Sequence, residues 1–344
     1  MEFNIMSENL DLNNKSAALD LMKKSMSFTI PGALRVAAKL KIADLLKEGP
    51  KDINELAKKT NSIPYVLNRI LRMLASENIF YESEGERYSL APAGRFLLSD
   101  HKYSLRDAVL MLTNETLWRP VGDVIESVQG NPAFEHLYGM SFYQYWQDNV
   151  REDHDFQAGM SSLSKIENYF IIKHYNFPEN KTVTDIAGGL GGLLLEVLKE
   201  NPTLKGQLFD RQHVLERTKL VELNDDSRWK LIPGDLFGDY PESDIYLIKY
   251  IIHDWDNDSV IKIFKNFRKA MKKDSKILII EPIIFKKNIP DVAKYMDILC
   301  MSAFPESGER TENEFIALLD KADLKINRVI KTETYNSILE VVIK

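Results

Sequence analysis

The stretch Asp185-Ile186-Ala187-Gly188-Gly189-Leu190-Gly191-Gly192 constrains this chain more than any other. It closes a short apolar run, TVTDI, and opens a helical one, LLLEVLKENP. Glycines at a strand-to-helix junction let the backbone approach a ligand at the carboxyl edge of a sheet. Downstream, QLFD and DIYLIKYII read as buried strands, VIKIFKNFRKAM as a helix and KILIIEPII as a further strand. Strands alternating with helices predict a parallel, doubly wound α/β sheet. The turn does not fit G-x-G-x-x-G, because the position three after Gly191 is Leu194, and no Gly-Lys-Ser/Thr follows to make a phosphate loop.

Two acids narrow the ligand. Asp210 ends QLFD, where a carboxylate can accept two hydrogen bonds from ribose hydroxyls. Gly234-Asp235-Leu236-Phe237 follows the next strand and puts an acid and apolar side chains near an adenine edge. Either acid alone also reads as a helix cap. In order along one sheet, with no phosphate cradle, they suit a nucleoside cofactor, and S-adenosylmethionine better than NAD.

Upstream, ALDLMKKSMSFTIPGALRVAAKLKIADLL has helical periodicity, and Pro31-Gly32 predicts a break into two helices. DINELAKKT reads as a helix capped by Asp52, with Glu55 at capping-box spacing. After a turn at NSIP, YVLNRILRMLASENI carries Val66, Ile70, Met73 and Leu74 at helical spacing. FYESEGERYSLAPAGRFLL then gives two short strands about Glu84-Gly85-Glu86. Helix, turn, helix and hairpin make a winged-helix plan, which serves DNA binding or dimerisation. DNA is disfavoured: the second helix offers only Arg69 and Arg72, the wing ESEGER sets three acids against one arginine, and the net charge is −6. Residues 101–178 read as a helical linker whose aromatics, among them Trp118, Phe134, Phe142, Tyr143, Tyr145, Trp146, Phe156 and Tyr169, fill a core. The expected division is 1–100, 101–178 and 179–344.

The single cysteine, Cys300, excludes an intramolecular disulfide and a cysteine-based zinc site. MEFNIMSENLDLNNK lacks the apolar core of a signal peptide, and no run approaches the roughly 20 apolar residues that span a bilayer. A cytoplasmic protein with neither a nucleic-acid nor a membrane partner is expected.

IIHDWDND sets His253 between an apolar run and three acids. Taken alone, it is open to three readings: a packed structural histidine, a metal ligand or a proton acceptor. No second histidine and no EF-hand spacing accompanies Asp254, Asp256 and Asp258, and Asp254 or Asp256 reads as the cap of a helix starting near Asn257.

DIAGGLGG, LFD, GDLF, LIKYIIHDW, IIEP and GERTENEF stand in the order found in S-adenosylmethionine-dependent O-methyltransferases of the plant caffeate and bacterial polyketide-tailoring type. The chain resembles that family over nearly its whole length. The resemblance implies a Rossmann-like methyltransferase sheet, an N-terminal winged-helix domain that forms a homodimer, and metal-independent chemistry yielding S-adenosylhomocysteine. It puts the cofactor on Asp185, Ala187, Gly188, Gly189, Asp210, Asp235, Leu236 and Lys249. His253 becomes the proton acceptor, with Glu281 and Glu309 orienting it. An aromatic acceptor is lined by Phe156, Met160, Met296, Leu299, Cys300 and Phe304. The family motif has glycine where this chain has Ala187, and a small or polar residue where it has Leu190, which implies a slightly tighter cofactor fit. Thioethers and rings on that lining suit a flat, polycyclic phenol such as an anthraquinone better than a phenylpropanoid or phenazine. Relatives that use the same cofactor site for non-methylating tailoring are the alternative, against which the His253, Glu281 and Glu309 set argues.

Overall fold

The computed structural model describes residues 12–285, 288–304 and 308–344. Its contacts form two compact units, one ending at Thr113 and the other starting at Asn114.

The first unit comprises α1 (Leu12–Ser25), α2 (Thr29–Lys39), α3 (Ile42–Leu45), β1 (Lys51–Asp52), α4 (Ile53–Thr60), α5 (Pro64–Ser76), β2 (Phe80–Ser83), β3 (Arg87–Leu90) and α6 (Arg106–Leu112). The break between α1 and α2 falls before Thr29, earlier than predicted. Pro31 lies in the first turn of α2, where its missing N–H costs nothing. Asp52 caps α4 as expected, its Oδ1 accepting from the N–H groups of Asn54 and Glu55 at 3.0 Å. Glu55 turns instead to Lys51, 3.3 Å away. The buried face of α5 is Leu67, Leu71 and Leu74, while Val66 is 49% exposed. Apolar residues crowd that helix on adjacent positions, so spacing alone left its rotational phase open. Behind α5 the hairpin forms, with strand order β1-β3-β2. Leu56, Leu71, Leu74, Phe80 and Tyr88 make the core of this unit. Leu19, Leu21, Met22 and Phe28 remain exposed.

The second unit begins with α7 (Glu115–Gly122), α8 (Val124–Val128), α9 (Ala133–Tyr138), α10 (Phe142–Asp148) and the long α11 (Val150–His174). Then come β4 (Thr182–Ile186), α12 (Gly192–Glu200), β5 (Lys205–Asp210), α13 (Gln212–Leu215), β6 (Trp229–Pro233), β7 (Ile245–Lys249), α14 (Asn257–Ala270), β8 (Lys276–Pro282), α15 (Val292–Ala303), α16 (Glu312–Asp320), β9 (Leu324–Lys331) and β10 (Asn336–Ile343). The strand order is β6-β5-β4-β7-β8-β10-β9. Pairing is parallel from β6 to β8, as predicted. It becomes antiparallel where β10 slots between β8 and β9. Sequence patterning does not reveal that hairpin: NSILEVVI is buried along almost its whole length and shows no alternation to read. Phe264 and Phe267 of α14 pack on one face of the sheet, Leu194 and Leu198 of α12 on the other.

Strand order reverses between β4 and β7, and the crevice beyond their carboxyl ends is where a doubly wound sheet takes its ligand. Both strands stop at a non-glycine residue in the left-handed region, Ala187 at φ +52° and Tyr250 at φ +55°. Ile251 and Ile252, predicted to extend the strand, are therefore outside it. A left-handed Tyr250 cannot continue the pleat. His253 follows in a 3-10 turn, Ile252–Asp254.

Among the described residues, no helix is long and apolar enough to cross a membrane.

Candidate active site

The turn after β4 is built for close approach. A Cβ on Gly188 would stand 2.5 Å from the Asp185 carboxyl and 2.7 Å from Leu208. Asp210 Oδ2 accepts from the Gly189 N–H at 2.8 Å, so the acid ending β5 grips the turn after β4. Asp185 is 2% exposed, and its Oδ2 is buried without a hydrogen-bond partner. Burial pushes its carboxyl up to about 7, the nearby Lys249 charge opposing. An orphaned buried oxygen beside a cradle that a methyl group would fill is what a cofactor with a cationic amino-acid tail completes. Asp235 follows β6, and its Oδ1 accepts from the Phe237 N–H at 2.8 Å. Leu236 is partly buried against the sheet.

Lys249, at the end of β7, meets α11. Its ammonium stands 2.7 Å from Glu167 Oε2, 3.1 Å from Asn168 Oδ1 and 3.3 Å from Ser164 Oγ, all on α11. Asn168 and Ser164 accept hydrogen bonds from it, and Glu167 is its ion-pair partner.

At the end of β7, His253 is buried, and its Nδ1 lies 2.8 Å from Glu309 Oε1, 56 residues along the chain. Its Nε2 faces Asp254 Oδ1 at 3.4 Å. Glu281 does not reach the imidazole by a hydrogen bond. Its Oε1 accepts from three successive N–H groups, Ile251 at 3.0 Å, Ile252 at 2.6 Å and His253 at 3.3 Å. Glu309 thus bonds the ring, and Glu281 bonds the turn that carries it. Burial lowers the His253 pKa, but the hydrogen bond it donates to Glu309 and the charges of Glu281 and Asp254 outweigh it and push it up to about 9. Burial pushes Glu281 up to about 7 against the His253 charge, and raises Glu309 against its bond to His253.

The segment carrying Glu309 is laced to this turn. The Gly308 N–H donates to the His253 carbonyl at 3.0 Å, and Arg310 donates to the carbonyls of Ile252 at 2.9 Å and Trp255 at 2.6 Å. Of the three nearby acids, Asp256 caps α14, accepting from the Ser259 N–H at 2.8 Å.

The residues expected to line the acceptor lie on α11 and at α15. Phe156 packs at 4.9 Å on Trp146, and Phe304 at 4.9 Å on Phe142. Trp146 and Phe142, taken from sequence as core filler, thus belong to the same aromatic cluster. Met160, Met296 and Leu299 are half-buried, and Cys300 is buried. Cys300, His253 and Glu309 bring ligand-type atoms within 4.8 Å of one another.

Residues 118–325 match the model of an O-methyltransferase domain, and residues 22–100 that of an O-methyltransferase dimerisation domain. The chain is similar to the phenazine O-methyltransferase PhzM of Lysobacter antibioticus, at 33% identity covering 95% of this chain and 98% of that protein. It is similar to the mitomycin biosynthesis 6-O-methyltransferase of Streptomyces lavendulae, at 32% identity covering 86% of each. The crystal structure of CalO1, a methyltransferase in calicheamicin biosynthesis, in its SAH-bound form superposes with a TM-score of 0.92 at 32% identity, covering 97% of this chain and all of that one.

Proposed function

The chain belongs to the O-methyltransferase family, and from that premise we propose that it methylates a phenolic hydroxyl of a polycyclic aromatic metabolite, with His253 as the general base. At the coarser level it is an O-methyltransferase of secondary metabolism that acts on aromatic hydroxyls, uses S-adenosylmethionine and forms a homodimer through its N-terminal domain. The exposed apolar residues of α1 and Phe28 fit that last role. No DNA-binding role is needed for the helix-turn-helix and hairpin.

The observation that carries the base assignment is the 2.8 Å contact between His253 Nδ1 and Glu309 Oε1 in a buried turn. A phenol has a reference pKa of about 10 and is a poor nucleophile while neutral. With Nδ1 committed to Glu309, Nε2 takes the phenolic proton when the imidazole is neutral, a fraction that grows as pH rises towards about 9, and the glutamate stabilises the imidazolium that results. Glu281 fixes three backbone N–H groups of the turn, so the ring is aimed before any substrate arrives. Asp210, Asp235 and the turn at Ala187–Gly189 would hold the cofactor, and Asp185 would face its charged tail. When bound, the sulfonium would supply the methyl group.

We assign no metal to this reaction. In the His253, Cys300 and Glu309 cluster, two of the three donors already bond each other, and burial pushes the Cys300 thiol up, away from the thiolate a metal binds.

Purified protein incubated with isotope-labelled S-adenosylmethionine and a panel of hydroxyanthraquinones, hydroxyphenazines and phenylpropanoids tests the reading by mass spectrometry. A one-methyl mass gain greatest on hydroxyanthraquinones is expected. Preference for the smaller phenols sinks the acceptor class, and no methyl gain on any phenol sinks the reaction.

A further inference from the structure

One face of α11 carries two chemistries. Phe156, Met160, Ser164, Glu167 and Asn168 follow one another at three- and four-residue steps or side by side, and so share a stripe. The first two stand at the proposed acceptor lining. The last three meet the ends of β7 and β10. Glu167 is 1% exposed, and each of its carboxylate oxygens has a polar neighbour within 3 Å. Oε2 faces the Lys249 ammonium at 2.7 Å, and Oε1 accepts from the hydroxyls of Tyr250 at 2.8 Å and Tyr335 at 2.6 Å. Asn336 Nδ2 donates to the Tyr250 hydroxyl at 2.8 Å. The Tyr250 phenol is thus pinned at its far end, while its backbone is held left-handed at φ +55°.

Pinned in this way, the Tyr250 ring stacks on the imidazole of His253, with centroids 5.4 Å apart and planes 25° from parallel. Glu309 grips that imidazole by its edge, and Tyr250 covers its face. A buried ion pair such as Lys249–Glu167 adds little net stability over apolar packing, and a left-handed tyrosine costs about 1–2 kcal/mol. Neither is explained by stability, but both are explained by a geometry that must not vary.

We propose that Glu167 and Tyr250 are positioning residues for His253: the polar end of the α11 stripe sets the tyrosine ring as a platform for the base and keeps the base in register with the acceptor-lining end of the same helix. The inference rests on the reading of His253 as the base. The other groups around His253 are Glu309, Asp254, Glu281, Cys300 and, through the Ile252 carbonyl, Arg310. All of these remain unchanged in the variants that follow.

The test reads the imidazole directly and needs no acceptor. The full-length protein is labelled with 15N-histidine, and the His253 resonances, among six histidines, are identified by their loss in His253→Asn. Tyr250→Leu is expected to lower the His253 titration midpoint by about one pH unit, because an aromatic face favours the cation. The same variant is expected to blur its tautomer, while affinity for S-adenosylhomocysteine by calorimetry stays within about threefold, well under one factor of ten. Tyr250→Phe and Glu167→Gln, which keep the ring, are expected to move the midpoint in the same direction by less. A folded Tyr250→Leu with the wild-type midpoint and tautomer overturns the proposal. If that variant fails to fold, an unmoved midpoint in both of the other two overturns it equally. The base reading is judged separately, by turnover of His253→Ala. Full turnover there removes the base, and with it the purpose given to the platform, whatever the spectra show.

Discussion

The turns after β4 and β7 start alike and end differently. Each follows a central parallel strand, and each breaks that strand with a left-handed, non-glycine residue. After Ala187 come glycines, and a buried Asp185 oxygen stays unpartnered. After Tyr250 come three N–H groups, all claimed by one buried glutamate oxygen. The first turn leaves a buried carboxylate oxygen open for a guest. The second ties its backbone down and offers one side chain, His253. One device of chain geometry therefore serves binding at one strand end and chemistry at its neighbour, according to which polar groups are left unsatisfied.

That division of labour can be broken most sharply at His253. His253→Ala is expected to lower kcat about 10²–10⁴-fold on the best phenol of the panel, with cofactor affinity by calorimetry unchanged. A matching loss of cofactor affinity would mean the two turns are not separate. A pH series draws the next contrast. Folding raises the pKa of Asp185 at one turn and of His253, Glu281 and Glu309 at the other. The folded protein thus binds more protons than the unfolded one, so its stability is greatest below the unfolded values and is lost as pH rises. The melting temperature without cofactor should fall from pH 5 to pH 9, by about 5 °C or more. A flat profile over that range would show these groups unperturbed, and a rise would show that folding lowers their pKa values. Gly188→Ala should weaken S-adenosylhomocysteine binding about tenfold, since its Cβ meets the Asp185 carboxyl at 2.5 Å. The His253 titration should not move. The smallest effect is Ala187→Gly, expected to stabilise by about 1 kcal/mol by relieving φ +52°, read as a higher denaturant midpoint.

Much of this was legible from residues alone. The glycine turn, the acids ending β5 and following β6 and the Asp52 cap follow from local chemistry, whereas Glu309 as a partner of His253 came only with the resemblance to a known family. What stayed hidden was decided by distant partners. Glu167 sits in KIENYF like any exposed helical acid, and only Lys249, Tyr250 and Tyr335 make it a buried anchor. Glu281 was found, but not its task, because the backbone N–H groups it binds exist only once Tyr250 has turned left-handed. The phase of α5 was hidden by too many apolar neighbours, and β10 by its being buried on both faces.

Cys300 has a consequence of its own. It is the only thiol in the chain, it is buried on α15, and burial with the charges of Glu309 and Asp254 holds it protonated. Alkylating reagents attack the exposed thiolate, so the closed protein should resist them. Modification can then proceed only as fast as the helix loosens its grip, which makes the alkylation rate a clock on local opening beside the base. Because the chain has one thiol, the clock has one hand, and a tightly bound aromatic should slow it.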